Sequence, residues 1–199
     1  MRNGIRFTTF SLACIGGYYT VWGVAPALHS PLMSVTNAIS GMTTAGGMII
    51  CGGGILPATT PQALGLAAVV LSSVNIVGGF ILTSRMLQMF KRPSDPPGYE
   101  AYYAAPMAAL VGGYFVTQGM GIDTINMAYV ASGVLCIGGI AAMSSMESSR
   151  ISPPLAILGV TSGVLTTMGS LGASPAVLTQ IALGSAAGGA VGFVMANGL

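Results

Sequence analysis

The sequence predicts an all-α protein, a polytopic bundle of about seven transmembrane helices, on three observations. Charge is scarce: six Lys or Arg and four Asp or Glu among 199 residues, nearly all in short breaks between long apolar runs. Apolar residues make up 53% of the chain and mean hydropathy is +0.80, whereas a soluble domain carries about a quarter of its residues as charge. The apolar runs also fail to alternate. Ala67-Ala68-Val69-Val70-Leu71 and Val134-Leu135-Cys136-Ile137 are continuous, which excludes the alternating segments of roughly ten residues that build a transmembrane barrel.

A helical crossing needs about 20 mostly apolar residues, and the predicted spans meet that length in order. They are Phe7 to Leu28, Leu32 to Gly54, Gln62 to Phe90, Glu100 to Gln118, Thr124 to Ser145, Pro153 to Leu171 and Pro175 to Asn197. The separators hold the breakers and charges: His29-Ser30-Pro31, Pro57 to Pro61, Lys91 to Gly98, Gly119 to Asp123, Met146 to Ser152 and Gly172 to Ser174. None is long enough for a soluble domain, so residues 1–199 read as one transmembrane domain. The start, Met1 to Arg6, runs straight into an apolar stretch too long for a removable signal, and the first span is expected to stay. Arg85, Lys91, Arg92 and Arg150 share one side of a seven-span topology, with Arg2 and Arg6 on the other. The larger group marks the matrix or cytoplasmic face. Arg85 lies about one turn from the interface, where its stem can snorkel.

Composition excludes several functions. A net charge of +2 with no basic cluster beyond Lys91-Arg92 gives a nucleic acid no footprint. Cys14, Cys51 and Cys136 each fall in an apolar run with no second ligand at metal spacing, so they read as packing residues. No strand, Gly-rich turn and helix form a dinucleotide-binding unit, and no cofactor site is expected. The 30 glycines instead lie mostly inside the spans. Gly159-xxx-Gly163, Gly184-xxx-Gly188 and Gly188-xxx-Gly192 place small residues one turn apart, the pattern that lets membrane helices approach closely.

Groups able to carry chemistry are few. Asp95, Glu100, Asp123 and Glu147 read as loop or span-end residues, and His29, the only histidine, stands at a span boundary before Pro31. The most polar apolar-run segment is Ser34-Val35-Thr36-Asn37-Ala38-Ile39-Ser40, four hydrogen-bonding side chains that need partners in hydrocarbon. It is read as capping the start of the second span and bonding to neighbouring helices, with a polar turn lining a water path as the alternative. Asn75, Gln118 and Gln180 pose the same question.

Three stretches carry a family resemblance: Val21 to Gly41, reading VWGVAPALHSPLMSVTNAISG; Ser72 to Phe80, reading SSVNIVGGF; and Arg85 to Pro97, reading RMLQMFKRPSDPP. They resemble the membrane domain of proton-translocating NAD(P) transhydrogenase, in the form with a continuous link typical of mitochondria. The resemblance runs through most of the chain and weakens after about Tyr99. It implies a family in which hydride passes between NADH and NADP in soluble domains while a larger helical membrane domain couples this to proton flow. The polar positions it carries over are His29, Ser34, Thr36, Asn37 and Ser40. His29 matches a histidine other than the one implicated in the family's proton path.

No segment here has room for a nucleotide-binding fold, so catalysis by this chain alone is not expected. The reading adopted is a non-catalytic, multi-span subunit of the mitochondrial inner membrane, a structural accessory of a larger respiratory or ATP synthase complex. The alternative is the membrane component of a split transhydrogenase, meeting NAD(H) and NADP(H) only through partner chains. Both readings imply a lipid bilayer and further membrane subunits as partners.

Overall fold

Residues 2–22, 29–89, 100–142 and 151–198 are described in a computed structural model, and among them no strand occurs. Seven α-helices follow in order: α1 (Arg2–Trp22), α2 (His29–Ile50), α3 (Thr60–Met89), α4 (Ala104–Gly119), α5 (Ile125–Ala142), α6 (Ser152–Ser170) and α7 (Pro175–Gly198). A 3-10 turn, Glu100–Tyr103, leads into α4. By length and composition Thr60–Met86, Ile125–Ala142 and Pro175–Gly198 can cross a membrane. The protein is a helical membrane bundle, and the exposure of Leu71, Val130, Ile137 and Val194 is that of a lipid-facing surface.

Helix boundaries correct two sequence expectations. His29-Ser30-Pro31 is no separator but the first turn of α2, where a proline removes no intrahelical hydrogen bond because its missing N–H would have been unpaired. Consequently Ser34 to Ser40 lies within the helix rather than forming a polar turn or a cap at its start. At the other end α2 stops at Ile50, short of Gly54, because Gly53 and Gly54 take φ values of 85° and 105° that break the helix. Gln62 then closes the start of α3, its Oε1 accepting from the Ala58 and Thr59 N–H groups at 3.0 and 3.1 Å.

Helix α3 is the axis of one block, with α2 on one side and α7 on the other. On the α2 side Gly47 and Gly65 face each other's carbonyls, while farther along Ser40 meets Asn75, so the two helices run antiparallel. On the α7 side Gly184 faces Leu66, Gly188 faces the Val70 carbonyl and Gly192 faces the Val74 carbonyl, a parallel register. A Cβ at Gly188 or Gly192 would collide with those carbonyl oxygens, so only glycine permits this approach. The parallel pair is closed by Arg85, whose guanidinium donates to the Ala196 carbonyl at 2.6 Å and to Asn197 Oδ1 at 2.8 Å. Arg85 thus caps the last turn of α7, the end that favours a cation. Lys91, Arg92 and Arg150 lie outside the described residues.

A second block packs α5 and α4 on α6. Gly139 approaches the Ser152 carbonyl, and a Cβ on Gly159 would lie 2.9 Å from the Ser132 carbonyl and 2.6 Å from Cys136 Sγ. Ser132 Oγ, which donates to the Gly159 carbonyl at 2.6 Å, also occupies the space beside Gly163. Helix α6 joins the blocks through α2, where Gly41 receives Val160. Two apolar clusters sit at the junction: Met48, Val69, Val177 and Ile181, and Phe80, Ala156 and Val160. Cys51 and Cys136 pack against them, whereas Cys14 on α1 is exposed. No extended contact joins α1 to the bundle among the described residues. Its Tyr18 and Trp22 stack at 5.6 Å at one helix end, where aromatic side chains suit the headgroup layer.

Replacing Gly188 with Leu would force α3 and α7 apart and cost more than the ~1–3 kcal/mol of ordinary overpacking. Thermal unfolding of the detergent-solubilised protein should show a lowered midpoint, and an unchanged one would refute this packing. Arg85→Met should speed amide exchange in the last turn of α7, reflecting a loss of about 0.5–2 kcal/mol, while leaving exchange in α5 unaltered.

Candidate functional site

Buried polar side chains lie along α2 and α3, and four more, Ser152, Ser162, Thr166 and Thr167, lie along α6. Asn37 is 2% exposed, Thr44 1% and Thr83 0%, with Ser72 and Ser73 also buried. Most of the hydroxyls are satisfied by their own helix: Thr44 donates to the Ser40 carbonyl, Ser73 to the Val69 carbonyl and Thr83 to the Gly79 carbonyl, at 2.8 to 3.0 Å. This back-bonding removes the cost of a hydroxyl in hydrocarbon and leaves its oxygen able to accept.

Asn37 is different, because its carboxamide projects across to α3. The space it fills exists because residue 79 is glycine; a Cβ there would collide with Oδ1 and lie 2.9 Å from Nδ2. Its Nδ2 is buried without a hydrogen-bond partner. One turn along, Asn75 Nδ2 donates to Ser40 Oγ at 2.6 Å, the side-chain bond that fixes the register of α2 on α3. The seam therefore has a buried carboxamide, Asn37, and an outer pair, Ser40 and Asn75, the latter exposed.

Of the sequence-derived polar positions, Asn37 and Ser40 come together here with Thr36, which is exposed one turn before Ser40. His29 and Ser34 belong to the first turns of α2, and their side chains lie outside the described residues. The glycines Gly159, Gly163, Gly184, Gly188 and Gly192 form no part of the seam; they lie at the α5–α6 and α3–α7 contacts. Thr44 and Thr83 are not among the sequence-derived polar positions, and Ser72 and Ser73 enter there only as the start of the stretch Ser72 to Phe80. Their signal was weak because single hydroxyls in apolar helices are common, and which face they occupy depends on neighbours distant in sequence.

Further polar groups lie outside the seam. Gln180 of α7 is 3% exposed, with both amide atoms unpaired. Between α4, α5 and α6, the Tyr114 hydroxyl donates to the Thr166 carbonyl at 3.2 Å, and the Tyr129 hydroxyl to Thr167 Oγ1 at 3.0 Å. These tie three helices together. Asp123 is spent on a cap, its Oδ1 accepting from the Ile125 N–H at 3.1 Å. The seam offers carboxamides and hydroxyls, which hold water and relay hydrogen bonds but carry no charge of their own at neutral pH.

Taken together, stacked helices with glycine contacts, a lipid-facing apolar exterior and an uncharged polar seam define a polytopic helical membrane protein. Within that class, residues 6–92 match the 4TM region of pyridine nucleotide transhydrogenase, mitochondrial. The chain is 55% identical over 85 residues to the second part of NAD(P) transhydrogenase subunit alpha from Rhodospirillum rubrum, covering 43% of this chain and 60% of that protein. The corresponding protein of Rickettsia prowazekii, also the second part of the alpha subunit, is 52% identical over 91 residues, 43% of this chain and 64% of its own length. NAD(P) transhydrogenase subunit alpha of Haemophilus influenzae is 49% identical over 93 residues, 44% of this chain and 17% of its own length. The chain thus spans less than two thirds of the length of the curated relatives it matches. These matches cover 43–44% of the chain rather than most of it, and the family region ends at residue 92, so α4 to α7 lie beyond that region. Every residue of the seam lies inside it.

The glycine that accommodates Asn37 is expected to be intolerant of substitution. Gly79→Ala should destabilise the protein by about 1–3 kcal/mol, because the Asn37 carboxamide must move. Asn37→Ala in the same background should restore most of the loss, a coupling read from a double-mutant cycle of unfolding midpoints. Additive effects would show that the two side chains do not compete for one space.

Proposed function

We propose that this chain is the membrane component of a split proton-translocating NAD(P) transhydrogenase, with nucleotide domains and the remaining proton-path helices on other chains. The observation that carries this reading is the identity of 55% to a relative described as one portion of a transhydrogenase alpha subunit. The family match over residues 6–92 includes every residue of the polar seam. The expectation of a structural accessory in a respiratory or ATP synthase complex draws no support from the relatives. Residence in the mitochondrial inner membrane is part of the proposal, since the relatives compared include bacterial proteins.

In this role the chain contributes no cofactor site. Its α2, α3 and α7 form a packed wall held by glycine contacts, and the seam supplies hydrogen-bonding groups at membrane depth. Asn37, Ser40 and Asn75 would orient water or a neighbouring polar side chain, while any change of protonation state occurs on groups supplied by other chains. Hydride transfer would reach the wall only as a conformational change in the domains attached to it.

Mild-detergent purification of the native assembly through a tag on this chain tests the proposal. Companions bearing NAD(H)- and NADP(H)-binding domains, with hydride exchange in the reconstituted assembly, are the expected result. Recovery of respiratory or ATP synthase subunits, with no nucleotide-domain companion, would overturn it.

A further inference from the structure

The outer half of the seam has a property that its buried half lacks. Asn75 is the sixteenth of the 30 residues of α3, a helix about 45 Å long at 1.5 Å per residue, so it lies about 22 Å from either end. Ser40, its partner, is the twelfth of the 22 residues of α2. Two helices of different length thus place the same hydrogen-bonded pair at their middles, and with a hydrocarbon core about 30 Å thick that is the centre of the bilayer. Yet Asn75 faces outward, exposed, as does Thr43 one turn along α2 from Ser40.

Lipid tails offer no donor or acceptor at this depth, and an amide turned towards them keeps an unsatisfied oxygen. Among the described residues Asn75 gives one N–H to Ser40, and its Oδ1 receives nothing. Thr43 spends its hydroxyl proton on the Ile39 carbonyl at 3.3 Å, leaving an oxygen that accepts. The strip Thr43, Ser40 and Asn75 therefore presents acceptors and one remaining amide proton. Elsewhere the outward faces are apolar at the same depth, as at Leu71 on α3 and Val134 on α5.

We propose that this strip is the docking surface for a transmembrane helix of another subunit that carries a hydrogen-bonding side chain at mid-bilayer level. The occupant's chemistry follows from the strip: a donor such as a hydroxyl, amide or imidazole N–H for Asn75 Oδ1, on a helix whose apolar flanks lie against Leu71 and Ile39. Interhelical hydrogen bonds of this kind act as glue where the hydrophobic effect gives none. The docking surface extends the proposed function but does not require the partner to be a transhydrogenase subunit.

The test uses the purified native assembly. A photo-crosslinking residue at position 43 should capture a transmembrane segment of a companion subunit, identified by mass spectrometry, with a polar residue in the captured peptide. The same probe at position 134 should label lipid. Asn75→Leu should weaken retention of that companion about three- to twentyfold on detergent titration, with the chain itself still folded. Lipid adducts alone at position 43, an adduct within Arg2–Trp22 of the same chain, or one to a second tagged copy would each overturn the proposal. A captured helix from an unrelated complex would uphold the docking surface while refuting the transhydrogenase assignment.

Discussion

The bundle depends on how closely backbones approach along α3. In water, burying apolar side chains would hold these helices together, but lipid tails are as apolar as leucine and that drive is absent. Dispersion between closely packed atoms and interhelical hydrogen bonds remain, and both fall steeply with separation. Helix α3 meets this by having glycine contacts on two faces: Gly65 against Gly47 of α2, and Gly78 against Gly192 of α7. The polar seam and the Arg85 cap are consequences, since neither Asn37 nor the guanidinium could reach its neighbour across a leucine-sized gap.

This also explains why the polar residues divide as they do. A hydroxyl can satisfy itself on the carbonyl one turn back and needs nothing from the fold, so Thr44, Ser73 and Thr83 tolerate burial. A carboxamide has two donor protons and an acceptor oxygen, more than the carbonyl one turn back can satisfy, so Asn37 and Asn75 both turn to a second helix. Asn37 is given space by a glycine and Asn75 is given an acceptor by Ser40. Along α2 and α3 the amides therefore specify register, while the back-bonded hydroxyls merely permit it.

The fold was legible because charges and breakers are segregated from apolar runs; that segregation is a one-dimensional property. What failed was local and physical. His29-Ser30-Pro31 resembled a separator, yet proline is at home in a first helical turn, and the error displaced the polar segment from a helix interior to its start. The seam was half visible: Asn37 and Ser40 stand out as polar in an apolar run. Their partners, Gly79 and Asn75, lie at sequence separations that only the antiparallel register of α2 on α3 reveals, and a glycine serving as empty space has no chemical signature.

The location of the seam relative to the family match bears on how the second half serves the first. Residues 6–92 hold all of α2 and α3, but the face of α3 opposite α2 is covered by α7, from beyond that region. Gly188 and Gly192 seat against carbonyls of the matched region, and Arg85 of that region caps α7. Covering one face of α3 so completely leaves the α2–α3 groove, with its mid-bilayer amide, as the face still open. A helix that is closed on one side by backbone contact and polar on the other is placed to be read from one direction only. That asymmetry is what the proposed docking surface requires: one face of α3 held by α7, the other left to a partner helix.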